Sequence, residues 1–283
     1  VTPDGPECPV CGASGPEPIY AGLTRCRTCT HVWADVAIDW AALQRIYQRS
    51  YFFGDEYSNY LQDRRSIEKN FERRLDSLLR YTQPSHRRLL EIGCAYGLFL
   101  NVARRSFESV EGIDISDDAV RYAVQELGVN AASGDLLTAD LSGRLFDVVC
   151  LWDTIEHLAE PRRYLEVAAA HMPPGALLAV TTGDIGSLNA RVQKERWRLI
   201  HPPSHLQYFT RASLSRLLND CGLRVVHVEY CGFSRSVKGM LHNLVALGWN
   251  RPRAASWLSA LVPSGLNLYL NLYDIMYVIA ERR

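Results

Sequence analysis

"LLEIGCAYGLFL", residues 89 to 100, is an apolar run that enters a short glycine turn and leaves it as a second apolar segment. A short apolar run bounded by a turn reads as a strand buried on both faces. Outward from it, after Pro84, strand-like runs at 88 to 93, 109 to 114, 129 to 133, 146 to 152 and 176 to 181 alternate with helical segments. That alternation predicts an α/β fold, a parallel sheet with helices on both faces. Two later runs, "LRVVHVEY" and "IMYVIAER", lie far apart, and the insert between them, residues 233 to 273, is apolar, rich in Leu and Trp, and reads as helical. It is expected to form an acceptor pocket or a homodimer face.

In an open α/β sheet the ligand lies at the carboxyl ends of the strands, where strand order reverses. A dinucleotide fingerprint in this turn needs glycine at positions 93, 95 and 98, and the chain has Gly93, Ala95 and Leu98. The Gly-Lys-Ser/Thr ending of a phosphate-binding loop is also missing. Glu91, two residues before Gly93, suits a cation better than a pyrophosphate.

The segment Glu91-Ile92-Gly93-Cys94-Ala95-Tyr96-Gly97 resembles the first motif, Glu/Asp-x-Gly-x-Gly-x-Gly, of the class I S-adenosylmethionine-dependent methyltransferases. Their cofactor carries a sulfonium and an ammonium and no phosphate. Ala95 departs from the middle glycine. The resemblance covers residues 86 to 283 and implies a Rossmann-like seven-stranded methyltransferase sheet. It also implies cofactor roles for Glu91, Gly93, Ala95 and Gly97. Asp114 would hold the ribose hydroxyls, Asp135 the adenine amino group, and Asp153, after the fourth strand, completes the set. Asp135 has a plainer alternative, capping a short helix.

"FDVVCLWDTIEHLAEPRRYL" holds the fourth strand and its loop. Its Glu-His-Leu-x-x-Pro resembles quinone-type O-methyltransferases and many sugar and natural-product methyltransferases. Methyl transfer to a hydroxyl needs an aligned acceptor and a group to take its proton, and histidine titrates in the right range. His157 is the first candidate base; otherwise Glu156 and His157 only shape the loop. "RWRLIHPPSHLQYFT" follows the fifth strand, and its tandem prolines hold His201 and His205 on a stiff arm. His205 is the second candidate, as base or acceptor ligand, with Trp197, His201 and Tyr208 lining the acceptor pocket. The three histidines together also suggest a catalytic metal, but spacing alone places no carboxylate beside them.

The N-terminus carries two C-x2-C pairs, Cys8/Cys11 and Cys26/Cys29. Two such knuckles complete a tetrahedral thiolate shell, so a structural zinc ribbon over residues 1 to 36 is expected, with a redox pair or plain thiols as the alternative. His31 reads as a surface or packing residue. Residues 37 to 85 read as a helical lid and linker. Within them Arg64, Arg65, Lys69, Arg73 and Arg74 alternate with acids as a solvated face, and Tyr51, Tyr57 and Tyr60 either pack on the core or cover a ligand. The four remaining cysteines, Cys94, Cys150, Cys221 and Cys231, read as small buried hydrophobes.

Across 283 residues, 31 Lys+Arg balance 31 Asp+Glu, so no global basic field attracts nucleic acid or membrane. With no leader-like start and no membrane-length apolar run, a cytoplasmic protein is expected. The expected activity is methyl transfer from S-adenosylmethionine to a small-molecule acceptor, a hydroxyl of a sugar or secondary metabolite, with histidine as base. Sugar C-methyltransferases are the alternative, since relatives of that kind also carry a four-cysteine module. An RNA methyltransferase would need a basic ribbon, yet residues 1 to 36 hold Arg25 and Arg27 against Asp4, Glu7, Glu17 and Asp35. A non-catalytic zinc-ribbon interaction protein would be expected to lack the cofactor residues, which are present.

Overall fold

The computed structural model describes residues 6–36, 61, 63–237 and 267–283. Three short strands open the chain: β1 (Glu17–Tyr20), β2 (Leu23–Arg25) and β3 (Val32–Ala34). Helix α1 (Arg64–Leu79) follows, and then the alternation read from the sequence. It runs β4 (Arg88–Ile92), α2 (Leu98–Ala103), β5 (Ser109–Asp114), α3 (Asp117–Leu127), β6 (Asn130–Ser133), β7 (Val148–Trp152), α4 (Pro161–Ala170) and β8 (Leu177–Gly183). The last part holds α5 (Leu188–Gln193), β9 (Gln207–Tyr208), α6 (Arg211–Asp220), β10 (Leu223–Tyr230), β11 (Phe233–Ser236), β12 (Asn267–Leu270) and β13 (Ile275–Arg282).

Local chemistry explains several boundaries. Ser116 caps α3 by accepting from the Ala119 N–H, Asp117 and Asp118 sit at the positive end of that helix, and Gly128 ends it in a left-handed conformation. Pro161 occupies the first turn of α4, where its missing N–H costs nothing. A reciprocal Thr210/Ser213 capping box starts α6.

The main sheet has seven strands in the order β10-β13-β8-β7-β4-β5-β6. The pairs β4/β5, β5/β6, β4/β7 and β7/β8 are parallel, as the alternation predicts. The alternation speaks only for those strands; of the two later runs, β13 is antiparallel to both β8 and β10 and lies between them. No crossover helix is needed when a strand returns alongside its predecessor, so the last strand enters reversed. The chain builds outward from β4 to β6 and then returns to β7 on the other side of β4. The strand-order reversal therefore falls between β4 and β7, where a ligand crevice opens in this architecture.

Alternate residues of each central strand feed two cores. Leu90, Ile92, Val149, Leu151, Leu178, Val180 and Val278 pack with Leu165 of α4 and Leu214 and Leu217 of α6. Leu89, Val148, Cys150, Trp152, Ala179 and Tyr277 pack with Phe71, Leu75 and Leu78 of α1 and Phe99 of α2. Helix α1, inside the segment read as lid and linker, thus packs one face, Phe71, Leu75 and Leu78, on the core. The aromatic residues 51 to 60 lie outside the described residues.

The cysteine segment is not a separate body. Its strands continue into β9 as a four-stranded sheet, β1-β2-β3-β9, and Cys8, Val10, Cys26 and Trp33 belong to the same core as β7 and α6. The insert also differs from its helical reading at both ends. Phe233–Ser236 and Asn267–Leu270 pair as antiparallel strands, because the neighbouring antiparallel β10 and β13 bring those ends side by side. The middle of the insert lies outside the described residues. Among the described residues no helix is long and apolar enough to cross a membrane.

Candidate active site

The glycine turn closes over the carboxyl end of β4. Gly93 has φ +77, and a Cβ there would sit 2.5 Å from Thr154 Oγ1, so the turn and the loop after β7 touch where only glycine fits. Gly97 has φ +69 and equally little room, its Cβ position lying 2.8 Å from that of Ala123. Ala95 holds φ 43, a left-handed conformation an alanine adopts at some cost, and its N–H donates to Asp114 Oδ2 at 2.7 Å. Asp114 Oδ1 accepts from the Ser116 N–H at 2.9 Å. Burial pushes the Asp114 carboxyl up, and the Ser116 and Ala95 donors pull it partly back.

Glu91 is 2% exposed, and among the described residues its Oε2 has no hydrogen-bond partner. Burial and then the Asp114 charge push its carboxyl well above the usual range, with Arg74 opposing. A buried carboxyl oxygen left without a donor fits a cationic ligand group. Asp135 Oδ1 accepts from the Leu137 N–H at 3.0 Å and the Tyr164 hydroxyl at 2.6 Å, so it shapes its turn whatever else it binds. Asp153, with φ 49, accepts from Thr181 Oγ1 at 2.9 Å and from Arg74 at 2.7 Å. Arg74 corrects the solvated-face reading: it is 8% exposed and lies over the rings of Phe71 and Trp152. Helical spacing placed it among exposed basic residues, and no local signal marked it as buried.

The loop after β7 and the arm before β9 bring the three histidines together. The rings of His157 and His205 lie 4.6 Å apart, and those of His201 and His205 3.9 Å apart. Each is oriented through Nδ1: His157 donates to the Ser204 carbonyl at 2.7 Å, His205 to the Leu199 carbonyl at 2.9 Å, and His201 to Ser204 Oγ at 2.7 Å. Burial drives His157 down to about 4 and His205 well below its ordinary value, so both rings are neutral at pH 7. Glu156, 5% exposed with an Oε2 that has no partner among the described residues, is pushed up to about 8 by burial and then by Asp153. Ligand-type atoms of Glu156, His157 and His205 lie within 4.8 Å of one another, which supplies the carboxylate that spacing did not place.

Other expected acceptor residues are placed differently. Trp197 is 2% exposed in a satellite core with Leu23 and Val32, and its indole N–H donates to Asp274 at 2.9 Å. Tyr208 is 3% exposed, and its hydroxyl donates to the His205 carbonyl at 3.0 Å, so it supports the arm from beneath. Tyr57 lies outside the described residues.

The four cysteine sulfurs lie within 4.8 Å of one another, with Cys8–Cys29 and Cys11–Cys26 both at 3.5 Å. A tetrahedral zinc thiolate with ~2.3 Å bonds separates its sulfurs by roughly 3.8 Å, so the donor set fits. Burial raises the Cys26 thiol, but N–H donors from Cys29 and Thr28 outweigh it and bring it down to about 7. His31, just past the second knuckle, is fully buried, held down to about 4 by that burial, and bonded to Gln207 at 2.9 Å.

Comparison with known proteins adds to this geometry. A family described as a methyltransferase domain matches residues 60–228. The ubiquinone biosynthesis O-methyltransferase of Caulobacter sp. (strain K31) is 33% identical over 102 residues, covering 34% of this chain and 40% of that protein. The protein of the same name from Coxiella burnetii (strain RSA 493 / Nine Mile phase I) is 26% identical over 99 residues, covering 33% and 42%. The matched stretch thus spans about two fifths of these curated relatives. Magnesium protoporphyrin IX methyltransferase from Synechocystis PCC 6803, solved with bound SAH, superposes with a TM-score of 0.56 at 16% identity over 87% of this chain and 100% of that one. A SAM-dependent methyltransferase from Archaeoglobus fulgidus superposes with a TM-score of 0.53 at 19% identity, over 79% and 99%. At these identities the structures share a fold.

Proposed function

The chain belongs to the methyltransferase-domain family, and on that premise we propose that it moves a methyl group from S-adenosylmethionine to an oxygen of a small acceptor. One observation carries the reading: neutral imidazoles of His157 and His205 converge on the loop whose Thr154 touches the Gly93 turn. The cofactor supplies an electrophilic methyl on a sulfonium. The chain's residues do the rest. Glu91 offers a buried carboxyl to the cationic end, Gly93 to Gly97 let the backbone approach, and Asp114 and Asp135 receive the ribose and adenine. His157 or His205 takes the hydroxyl proton as the acceptor oxygen attacks, within a site whose alignment lowers the barrier. A hydroxyl of a sugar or secondary metabolite is the favoured acceptor, and carbon beside a sugar carbonyl is the alternative for the same base.

The ribbon favours a small acceptor over RNA. Arg25 and Arg27, its two arginines, both face Glu17, so it presents no basic grip. Four thiolates leave no open coordination position, and zinc there is proposed as structural.

A labelled-methyl transfer assay against hydroxylated, keto-sugar and RNA acceptors tests the function. His157→Ala and His205→Ala are expected to lower turnover by at least ~10²-fold with cofactor binding intact. Unchanged turnover in both removes the base assignment, and transfer to RNA alone removes the acceptor class.

A second reading rests on the Glu156, His157 and His205 cluster, which also suits a divalent cation that would polarise the acceptor oxygen. Transfer that stops on chelation while the cysteine metal is retained, and returns with Mg2+ or Mn2+, would favour it.

A further inference from the structure

We infer that the cysteine ribbon acts as an internal brace for the acceptor-side histidines, with His31 and Gln207 as the positioning residues that connect the two. This deepens the proposed function and rests on its placement of the acceptor beside His157 and His205.

The connection has a direction set by hydrogen bonding. The Gln207 side-chain amide donates through Nε2 to the carbonyls of Leu158 at 3.0 Å and Ala159 at 3.5 Å. Its Oε1 must then face His31, whose Nε2–H donates across 2.9 Å. Both side chains are buried, His31 at 0% and Gln207 at 4% exposure, so neither bond is replaced cheaply by water. His31 is placed from the metal side, because the Cys26 N–H donates to its carbonyl at 2.8 Å and Cys29 is two residues away. On the other side, Leu158 directly follows His157.

Backbone pairing runs beside this bridge. Val32 and Trp33 of β3 pair with Tyr208 and Gln207 of β9. The Ala34 N–H donates to the Leu206 carbonyl at 2.9 Å, and the Leu206 N–H donates in turn to the Glu156 carbonyl at 2.8 Å. Leu206 follows His205, so the same ladder holds the arm of His205 against the loop of His157. The ribbon therefore holds the arm directly at Leu206 and Gln207, and through those two residues it holds the His157 loop at Glu156 and Leu158, each position adjacent to a histidine or one residue beyond it. Packing completes the attachment: the His31 ring lies 4.8 Å from Phe209 and 6.1 Å from Trp33, and Arg162 of α4 donates to the Val10 carbonyl.

A ribbon used to grip a macromolecule would leave its face free. This one spends its third strand and its buried histidine on the loops around the acceptor. The bridge ends at Leu158 and Ala159, beyond His157 from Thr154, the loop residue that touches the Gly93 turn, so its loss should move the acceptor-side histidines and spare the cofactor.

The test uses the full metal-loaded chain and four variants. His31→Phe keeps ring stacking and removes the N–H, and Gln207→Leu keeps bulk and removes both ends of the bridge. His31→Gln retains a donor toward Gln207, and Gln207→Glu keeps size while losing the N–H donors to Leu158 and Ala159. Expected are a fall in kcat of about 10²-fold for His31→Phe, Gln207→Leu and Gln207→Glu, an S-adenosylmethionine Kd within about twofold of wild type, and at least partial rescue in His31→Gln. Imidazole 15N resonances of His157 and His205 should shift in the low-turnover variants while the amides of Gly93 and Gly97 stay in place.

Should His31→Phe and Gln207→Leu fail to fold, the contrast between His31→Gln and Gln207→Glu decides. Equal turnover in that pair overturns the brace, as do unmoved histidine resonances or a cofactor Kd that weakens in parallel with turnover. The resonances are read without any acceptor. Absence of transfer by the wild type would therefore sink the proposed function and leave the brace to be judged on its spectra.

Discussion

Arg74 and Asp153, separated by 79 residues of sequence, meet at 2.7 Å, and their pairing ties helix α1 to the loop between β7 and the histidine cluster. The arginine is almost fully buried while the aspartate is 42% exposed, so the pair lies at the border of the crevice. Around it sit two buried acids, Glu91 and Glu156, each with an oxygen that has no partner among the described residues, and Arg74 lowers the proton affinity of both. Arg74→Met keeps the stem packed on Phe71 and Trp152 and removes the charge. Expected are a loss of about 1–3 kcal/mol in denaturant unfolding, discounted for the exposure of Asp153, and weaker cofactor binding by calorimetry. Wild-type stability and affinity would show that the pair does not matter.

Gly93→Ala would put a methyl 2.5 Å from Thr154 Oγ1 at φ +77. Backbone strain and overpacking together predict a loss of about 2–4 kcal/mol and at least ~10-fold weaker cofactor binding. Ala95→Gly is the informative control. Relief of the left-handed alanine and the added freedom of the unfolded chain oppose each other, so stability should stay within ~1 kcal/mol. A Gly93→Ala chain with wild-type affinity would contradict the packing of this turn.

The raised Glu91 carboxyl predicts proton-linked cofactor binding. In the free protein the acid form is favoured by burial, whereas a bound cation favours the carboxylate, so binding releases a proton. Affinity should rise with pH until Glu91 is ionised in the free protein. Titrations in buffers of different ionisation enthalpy should report that release, and Glu91→Gln should abolish it. An unchanged proton count in Glu91→Gln would assign the linkage elsewhere.

Because the cysteine ribbon shares its sheet with β9 and its core with β7 and α6, it should not melt alone. Calorimetry of the metal-loaded chain is expected to show a single unfolding transition for ribbon and main sheet. Cys26→Ser should lose about one zinc equivalent per chain and lower that same transition. Two separated transitions would show an independent module.

Much of this architecture was legible in the sequence because its signals are local. Central strands buried on both faces appear as continuous apolar runs, as β4, β7 and β8 do. A glycine turn needs only its own few residues to declare itself, and a metal knuckle only its two cysteines. His157, His201 and His205 could be nominated by chemistry and resemblance to a family motif.

Local pattern alone therefore carries the α/β alternation, the glycine turn, the paired cysteines and the candidate histidines. The folded chain is needed to see that β13 runs reversed between β8 and β10, that Arg74 is buried against Asp153, and that Glu156 joins the histidines. It alone joined His31 to Gln207, 176 residues apart, and placed Trp197 in a core. Periodicity and turn chemistry act within a few residues. Which buried polar group finds which partner is settled by packing across the chain, because an unpaired group is costly and its remedy lies wherever the fold brings a donor or a charge.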